Sequence, residues 1–246
     1  MSEKTGERIA KRMAAAGLAS RRQAEEWIAA KRVRVNGKII TSPALNVTAE
    51  DEIMVDGEAL PSLPPPRLWR YHKPSGLVTT HRDPKGRKTV FDMLPKQLGR
   101  VISVGRLDLN SEGLLLLTNS GELARYMELP STGWVRRYQV RTYGTLKKDL
   151  TKKLAEGITV DGVVYAPIKA EIESQKSANS WMTLALQEGK NREIRKVLAH
   201  FELKVNRLIR LSYGPFQLGN LPLGGIDEVP GKVLREQLGG FFNENR

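Results

Sequence analysis

Asp108 stands at the centre of Gly105-Arg106-Leu107-Asp108-Leu109-Asn110-Ser111-Glu112-Gly113, a polar loop between the apolar runs Val101 to Val104 and Leu114 to Leu117. Short apolar runs bounded by turn residues predict buried strands, so the loop joins two core strands and presents its middle at the edge of a sheet. A carboxylate there can meet a substrate. Glu112 supplies a second carboxylate, the kind of pair a glycosidic-bond hydrolase uses. Taken alone, Asp108, Asn110, Ser111 and Gly113 are equally plain turn formers. Two other stretches could complete a site. Trp134 to Tyr143 predicts a strand in which Trp134, Arg136, Tyr138 and Val140 share one face, which leaves Tyr138 open as core or site. Farther on, Gln187 to Asn191 leads into a helix with Ile194, Val197, Leu198 and Phe201 inside and Arg192 and Arg195 in its first turn. Unpaired N–H groups at a helix start add to those cations, making an anchor for a carboxylate or phosphate. Gly189-Lys190 lacks the glycine five residues earlier that a P-loop requires.

Composition narrows the chemistry. The 246 residues carry a formal net charge of +13, which points to a polyanion, either nucleic acid or an anionic membrane. No apolar run approaches the roughly 20 residues that span a bilayer, and the start Met-Ser-Glu-Lys-Thr-Gly-Glu-Arg has no apolar signal core, so no membrane partner is expected. With no cysteine, disulfides, thiolate metal sites and cysteine nucleophiles are excluded, and a cytoplasmic location fits. His72 and His81 have no second ligand at metal-site spacing, so no metal is expected.

The elements behind the loop fall into two parts. In residues 1–60, Ile9 and Met13 recur at helical spacing up to Gly17, and Ser20 with Gln23 predicts a capping box for a second helix bearing Ala24, Trp27 and Ile28. Val33-Arg34-Val35-Asn36-Gly37-Lys38 then predicts a hairpin turned at Asn-Gly. Residues 1–38 hold ten Lys or Arg against four Glu, while residues 39–60 hold five acids and no base. That polarity gathers Arg21, Arg22, Lys31, Arg32, Arg34 and Lys38 as backbone-binding cations for RNA or DNA. Pro64-Pro65-Pro66 cannot join a helix or a central strand, so residues 61–67 read as a semi-rigid linker.

The larger part, residues 68–246, has strand pieces around Lys73-Pro74-Ser75-Gly76, and a basic loop at Asp83 to Val90 carrying Arg87. A helix through Leu146, Leu150 and Leu154 ends at Gly157, and a hairpin turns at Asp161-Gly162. Further strands follow through Val163 to Ile172, Trp181 to Leu186 and Val205 to Leu211, and a last helix lies near Val233 to Leu238. The fold class expected is α+β: a small helix–helix–sheet unit and a larger domain on a mixed, mainly antiparallel sheet flanked by helices.

Four stretches resemble known families. The order helix, Gly-Leu-Ala-Ser-Arg-Arg-Gln-Ala-Glu, helix, Val-Arg-Val-Asn-Gly-Lys resembles the alpha-L RNA-binding module first known in a small-subunit ribosomal protein, over residues 6–53. Tyr-His-Lys-Pro-Ser-Gly-Leu (71–77), Gly-Arg-Leu-Asp-Leu-Asn-Ser-Glu-Gly-Leu-Leu-Leu-Leu-Thr (105–118) and Glu-Gly-Lys-Asn-Arg-Glu-Ile-Arg-Lys (188–196) resemble, in order and spacing, the bacterial ribosomal-RNA pseudouridine synthases of the RsuA and RluB type. Gly105, where a related subfamily has His, points to that branch. Lys190 stands where Arg is more usual, which keeps the charge and removes a planar fork for phosphate.

The resemblance implies the pseudouridine synthase fold and conversion of a uridine in ribosomal RNA, the large-subunit RNA preferred, without cofactor or metal. It implies Asp108 as the essential carboxylate, adding to C1′ or removing the 2′ proton, with Arg195 as its ionic partner and Tyr138 stacked on the target base. Arg106 would fill the gap left by a flipped nucleotide, and Arg87, Lys190 and Arg192 would contact RNA. A monomer is expected. Besides the carboxylate-pair hydrolase, a non-catalytic RNA-binding or ribosome-assembly factor fits the same charge pattern.

Overall fold

The computed structural model describes residues 6–244. They divide into two compact units. One comprises the described residues up to Pro66 with Lys96–Ile102 and Asn119–Gly121; the other comprises Arg67–Pro95, Ser103–Thr118 and Glu122 onward. The break at Pro66 lies inside the stretch read as a linker, and the grouping of 96–102 and 119–121 with the first unit had no counterpart in the sequence reading.

The first unit opens with β1 (Glu7–Arg8), α1 (Ile9–Ala15) and α2 (Arg21–Ala29). Gly17 takes φ +85° after α1. The Ser20 hydroxyl accepts the Gln23 amide at 3.1 Å, and the Gln23 side chain returns to the Ser20 amide, closing the expected capping box. β2 (Val33–Val35), β3 (Lys38–Ile39), β4 (Asn46–Val47), β5 (Ile53–Val55) and β6 (Glu58–Ala59) follow. The order β3-β2-β5-β6 forms one small sheet and β1 pairs β4. Asn36-Gly37 is left-handed at both positions and turns β2 into β3. Asp56-Gly57 does the same between β5 and β6, a hairpin the sequence reading passed over. Ile9, Met13, Ala24, Ile28, Val33 and Ile53 bury the helix stripes against the sheet.

In the second unit come β7 (Leu68–Lys73), β8 (Ile102–Val104, whose first residue groups with the first unit), β9 (Glu112–Thr118), α3 (Gly121–Glu128), β10 (Arg136–Tyr143), α4 (Leu150–Glu156), β11 (Ile158–Val160), β12 (Val163–Tyr165), β13 (Lys169–Lys176), β14 (Asn179–Leu186), α5 (Glu193–His200), β15 (Lys204–Tyr213), β16 (Phe216–Gln217), β17 (Ile226–Glu228), α6 (Gly231–Gln237) and α7 (Gly239–Glu244). The main sheet has the order β13-β14-β10-β15-β9-β7-β17. Along it every neighbouring pair is antiparallel except β15 and β9, so the sheet is mixed and mainly antiparallel as expected. The strand expected from Trp134 begins at Arg136. Trp134 instead packs edge-on to Tyr213 and Phe216, because Gly214 turns under its ring at φ +54°. α4 and α5 cover the β10-β14-β15 face through Leu150, Leu154, Ile194, Val197 and Leu198.

The Gly105–Gly113 loop does not lie at the sheet edge as expected. β9 is central, and Leu114 to Leu117 are buried on both faces, as a continuous apolar run in a covered strand should be. The opening exists because β9 and β15 pair over only two positions, Ile209 with Glu112 and Arg210 with Gly113, and then part. Their approach requires glycine: at φ +101°, a Cβ on Gly113 would sit 2.3 Å from the Arg210 carbonyl oxygen. Gly113→Ala is therefore expected to cost at least about 2 kcal/mol in urea unfolding, and a loss below about 0.5 kcal/mol would refute the close approach.

Candidate active site

Lys73 ends β7 on its inward face and is fully buried. Its ammonium donates to the carbonyls of Ser111 (2.9 Å), Pro74 (3.0 Å) and Asp108 (3.2 Å). Three further bonds fix the loop: Gly76 N–H to Leu109 O at 2.8 Å, the Thr79 hydroxyl to Leu107 O at 2.9 Å, and Gly105 N–H to the Glu128 carboxylate at 2.6 Å. With carbonyls drawn inward and Leu107 buried as an anchor, the Asp108 carboxylate is left on the cleft side, 31% exposed. Burial pushes Lys73 down to about 8, although Asp108 and Glu112 pull it up and Arg210 adds to the fall. The sequence reading took Lys-Pro-Ser-Gly as a bend and missed this role. The signal was the strand alternation, since Trp69, Tyr71 and Lys73 share the buried face.

Asp108, Arg106, Tyr138, Arg192 and Arg195 line one cleft of about 720 Å³, with Arg87 and Lys190 on its wall. Arg192 caps α5 in a left-handed conformation, φ +52°, and its Nη1 stands 3.7 Å from Asp108 Oδ2. Arg195, the expected ionic partner, lines the same cleft and feels the charge of Asp108. Arg195 donates to Val205 O at 3.0 Å and Asn110 O at 2.9 Å, so it clamps the loop backbone to β15. Desolvation and the neighbouring Arg192 lower its pKa, and the charge of Asp108 opposes them. Tyr138 serves both readings left open for it: its body packs on the core and it also faces the cleft. A register shift between Arg137 and Tyr138 marks a bulge that re-aims β10 there.

Several cations are already committed to acids. Arg87 is forked onto Asp83 at 2.7 and 3.0 Å, and this Arg87 fork holds the Asp83 carboxyl down at about 2. Lys190 binds Glu188, donates to Val164 O at 2.8 Å and lies over Tyr165, so its ammonium is not free for phosphate as expected. Arg32 is tied to Asp56 and stacks on Trp27, and Arg34 reaches Gly37 O at 3.5 Å. Arg106, Arg21, Arg22, Lys31 and Lys38 stand exposed. Glu112, 14% exposed, is forked onto Arg207 at 3.0 and 2.9 Å, which removes the second carboxylate that the hydrolase reading needs. His72 bonds Leu221 O and His81 stacks on Phe91; among the described residues no His, Asp and Glu cluster could hold a metal.

A split sheet lies over this cationic cleft, and a small helix–sheet unit with its bases gathered in one half precedes it in the sequence. The model of the RNA pseudouridylate synthase family matches residues 67–200, and that of the S4 domain matches residues 7–53. The chain belongs to the RNA pseudouridylate synthase family. It is 50% identical over 231 residues to a Rickettsia felis protein described as an uncharacterized RNA pseudouridine synthase, covering 94% of this chain and 100% of that one. It is 39% identical to the ribosomal large subunit pseudouridine synthase B of Pasteurella multocida, covering 91% of this chain and 67% of that one. A crystal structure of a pseudouridylate synthase superposes with a TM-score of 0.66 at 27% identity, over 94% of this chain and 99% of that one.

Lys73→Met should expose the value of the buried ammonium. Orphaning its carbonyls is expected to cost about 3 kcal/mol in urea unfolding, and a neutral result would refute its structural role. Because the folded value lies near 8 and the ordinary one at 10.5, wild type should gain stability as pH rises between them, and the variant should not.

Proposed function

We propose that this RNA pseudouridine synthase isomerises a uridine of ribosomal RNA, in the large-subunit RNA, with Asp108 as the single essential carboxylate. The relatives named as large-subunit pseudouridine synthases support the substrate class. The observation that carries the mechanism is that Asp108 is held through its backbone on Lys73 while its carboxylate faces the cleft beside Arg192 and Tyr138.

The reaction breaks the N1–C1′ glycosidic bond, turns the uracil, and joins C5 to C1′. It is redox-neutral and imports no atom, so the proposal includes no cofactor. Reaching C1′ requires the nucleotide to leave its stack at a cost of a few kcal/mol, which phosphate contacts offset. Arg106, exposed two residues from Asp108, occupies the gap. Tyr138 stacks on the extruded base. Arg192 stands beside the Asp108 carboxylate, 3.7 Å away, as it adds to C1′ or takes the 2′ proton, and Arg195 holds the loop. Arg21, Arg22, Lys31 and Lys38 of the N-terminal unit supply the mobile cations that capture the RNA backbone, with Arg32 and Arg34 more constrained beside them. The division of labour follows residues 1–60, a linker at 61–67 and a catalytic domain at 68–246. Among the described residues no helix is long and apolar enough to cross a membrane. Because its substrate is ribosomal RNA, we assign the protein to the cytoplasm, acting as a monomer.

Asp108→Asn should bind ribosomal RNA within about twofold of wild type and lose pseudouridine formation by at least about 10³-fold. Mass analysis of the RNA decides: pseudouridine from the variant would overturn the assignment, and release of free uracil by wild type would make the protein a hydrolase. Arg192→Ala should lose turnover with little change in melting temperature, whereas Arg195→Ala should lose both.

A further inference from the structure

The turn that offers Arg192 to Asp108 is held by two carboxyl groups. Glu193 is 3% exposed; its Oε2 accepts the Lys190 amide at 2.9 Å, and its Oε1 is buried with no donor. The Glu188 carboxyl faces Glu193 and is itself bound, Oε1 to the Ala166 amide at 2.7 Å and Oε2 to the Lys190 ammonium. Glu193 is buried beside a second carboxyl group that is itself part-exposed and paired to Lys190, so charging Glu193 is disfavoured, and a proton between the two gives the orphan oxygen its partner. The turn needs such a hold because Arg192 adopts a left-handed backbone that a side chain with a Cβ disfavours.

We propose that Glu188 and Glu193 share one proton, and that this carboxyl–carboxylate pair is a positioning device that keeps Arg192 against Asp108. Charged and titratable groups near it include Lys190 and Arg192 on the same turn, Arg195 of α5, Tyr165 of β12 under the Lys190 ammonium, and, lining the same cleft from β10, Tyr138 and Arg136, whose guanidinium binds Gln187 O and the Tyr213 hydroxyl. Desolvation pushes Glu193 up to about 7; the Lys190 amide and ammonium oppose it and Glu188 reinforces it. Glu188 moves the other way: desolvation raises it, but Lys190 and the Ala166 amide hold it below its ordinary value. Because the folded value of Glu193 exceeds the unfolded one, its stabilisation is complete below the unfolded carboxyl value and is lost as pH rises through the folded value. Above that, like charges loosen the turn and Arg192 withdraws.

The link to turnover rests on the reading of Asp108 and Arg192 given above; the shared proton does not. Full-length protein with ¹³C-labelled glutamate separates the two, with Glu193→Gln identifying the Glu193 carboxyl signal. That signal should titrate near neutrality, and in Glu188→Gln it should move down by at least about one pH unit; titration of wild-type Glu193 in the ordinary carboxylate range would overturn the proposal. In single-turnover pseudouridine formation, wild type should fall about tenfold more than Glu193→Gln per pH unit above the midpoint. Glu193→Gln, which keeps a neutral hydrogen-bonding group, should match wild type within about twofold at pH 6. Glu193→Ala should be slow at every pH. Superimposable wild-type and Glu193→Gln profiles would refute the positioning role. If Asp108→Asn stays active while the Glu193 titration stands near neutrality, the active-site reading fails and the shared proton does not.

Discussion

The buried ammonium of Lys73 is the constraint on which the cleft depends. A lone charge in an apolar interior costs several kcal/mol, and it is tolerated here because carbonyl oxygens of Pro74, Asp108 and Ser111 surround it. Two of those carbonyls, of Asp108 and Ser111, belong to a loop that makes no regular ladder, so the same contacts answer two needs. They solvate the lysine, and they satisfy backbone acceptors that would otherwise be orphaned under a strand end. Once the carbonyls face inward, the side chain of Asp108 is directed by the backbone and needs no bond of its own to find the cleft. A hydrophobic residue at position 73 could fill the volume but could not collect carbonyls.

Charge is distributed around that loop by the same logic of commitment. The net charge of +13 suggests a uniformly attractive surface, but the cations divide into fixed and free. Arg207 is committed to Glu112, Arg87 to Asp83, Lys190 to Glu188 and Arg32 to Asp56. In each pair the base remains largely exposed; such contacts fix where side chains lie and lower the local potential more than they add stability. Arg106 and the exposed bases of α2 and the β2–β3 hairpin stay available. Arg192 is intermediate: at 3.7 Å from Asp108 it forms a loose pair, free to yield to a substrate.

What could be read from the chain follows from how local the causes are. The capping box at Ser20, the Asn36-Gly37 turn, the apolar run at Leu114 and the helix after Arg192 each depend on neighbouring residues, and each appears where expected. Three features depend on partners distant in sequence and were misread or missed. Lys73 meets Ser111 across 38 positions, the fork of Arg207 on Glu112 spans 95, and Arg195 meets Asn110 across 85. Helical spacing put Arg192 and Arg195 together at a helix start but could not say which of them β15 would engage. Placing the loop at a sheet edge failed for the same reason: strand order is a long-range property, and an opening inside a sheet looks locally like an edge.

That opening deserves its own physical account, since a central strand is an unusual place for a polar loop. Parallel pairing between β9 and β15 lasts two residues because Gly113 lets the backbones meet at Arg210 and the chains then diverge. Divergence leaves strand-end groups without a ladder. On the β9 side Lys73 takes the carbonyls; on the β15 side the Arg195 guanidinium takes Val205 O and reaches back to Asn110. Arg210, buried between them, donates to Leu114 O at 2.7 Å and lies against Tyr213, whose hydroxyl receives Arg136 from β10. Three cations therefore replace the missing strand-to-strand hydrogen bonds, and they do so from below and from the flanks. The cleft at the gap is lined by Asp108, Tyr138 and Arg192.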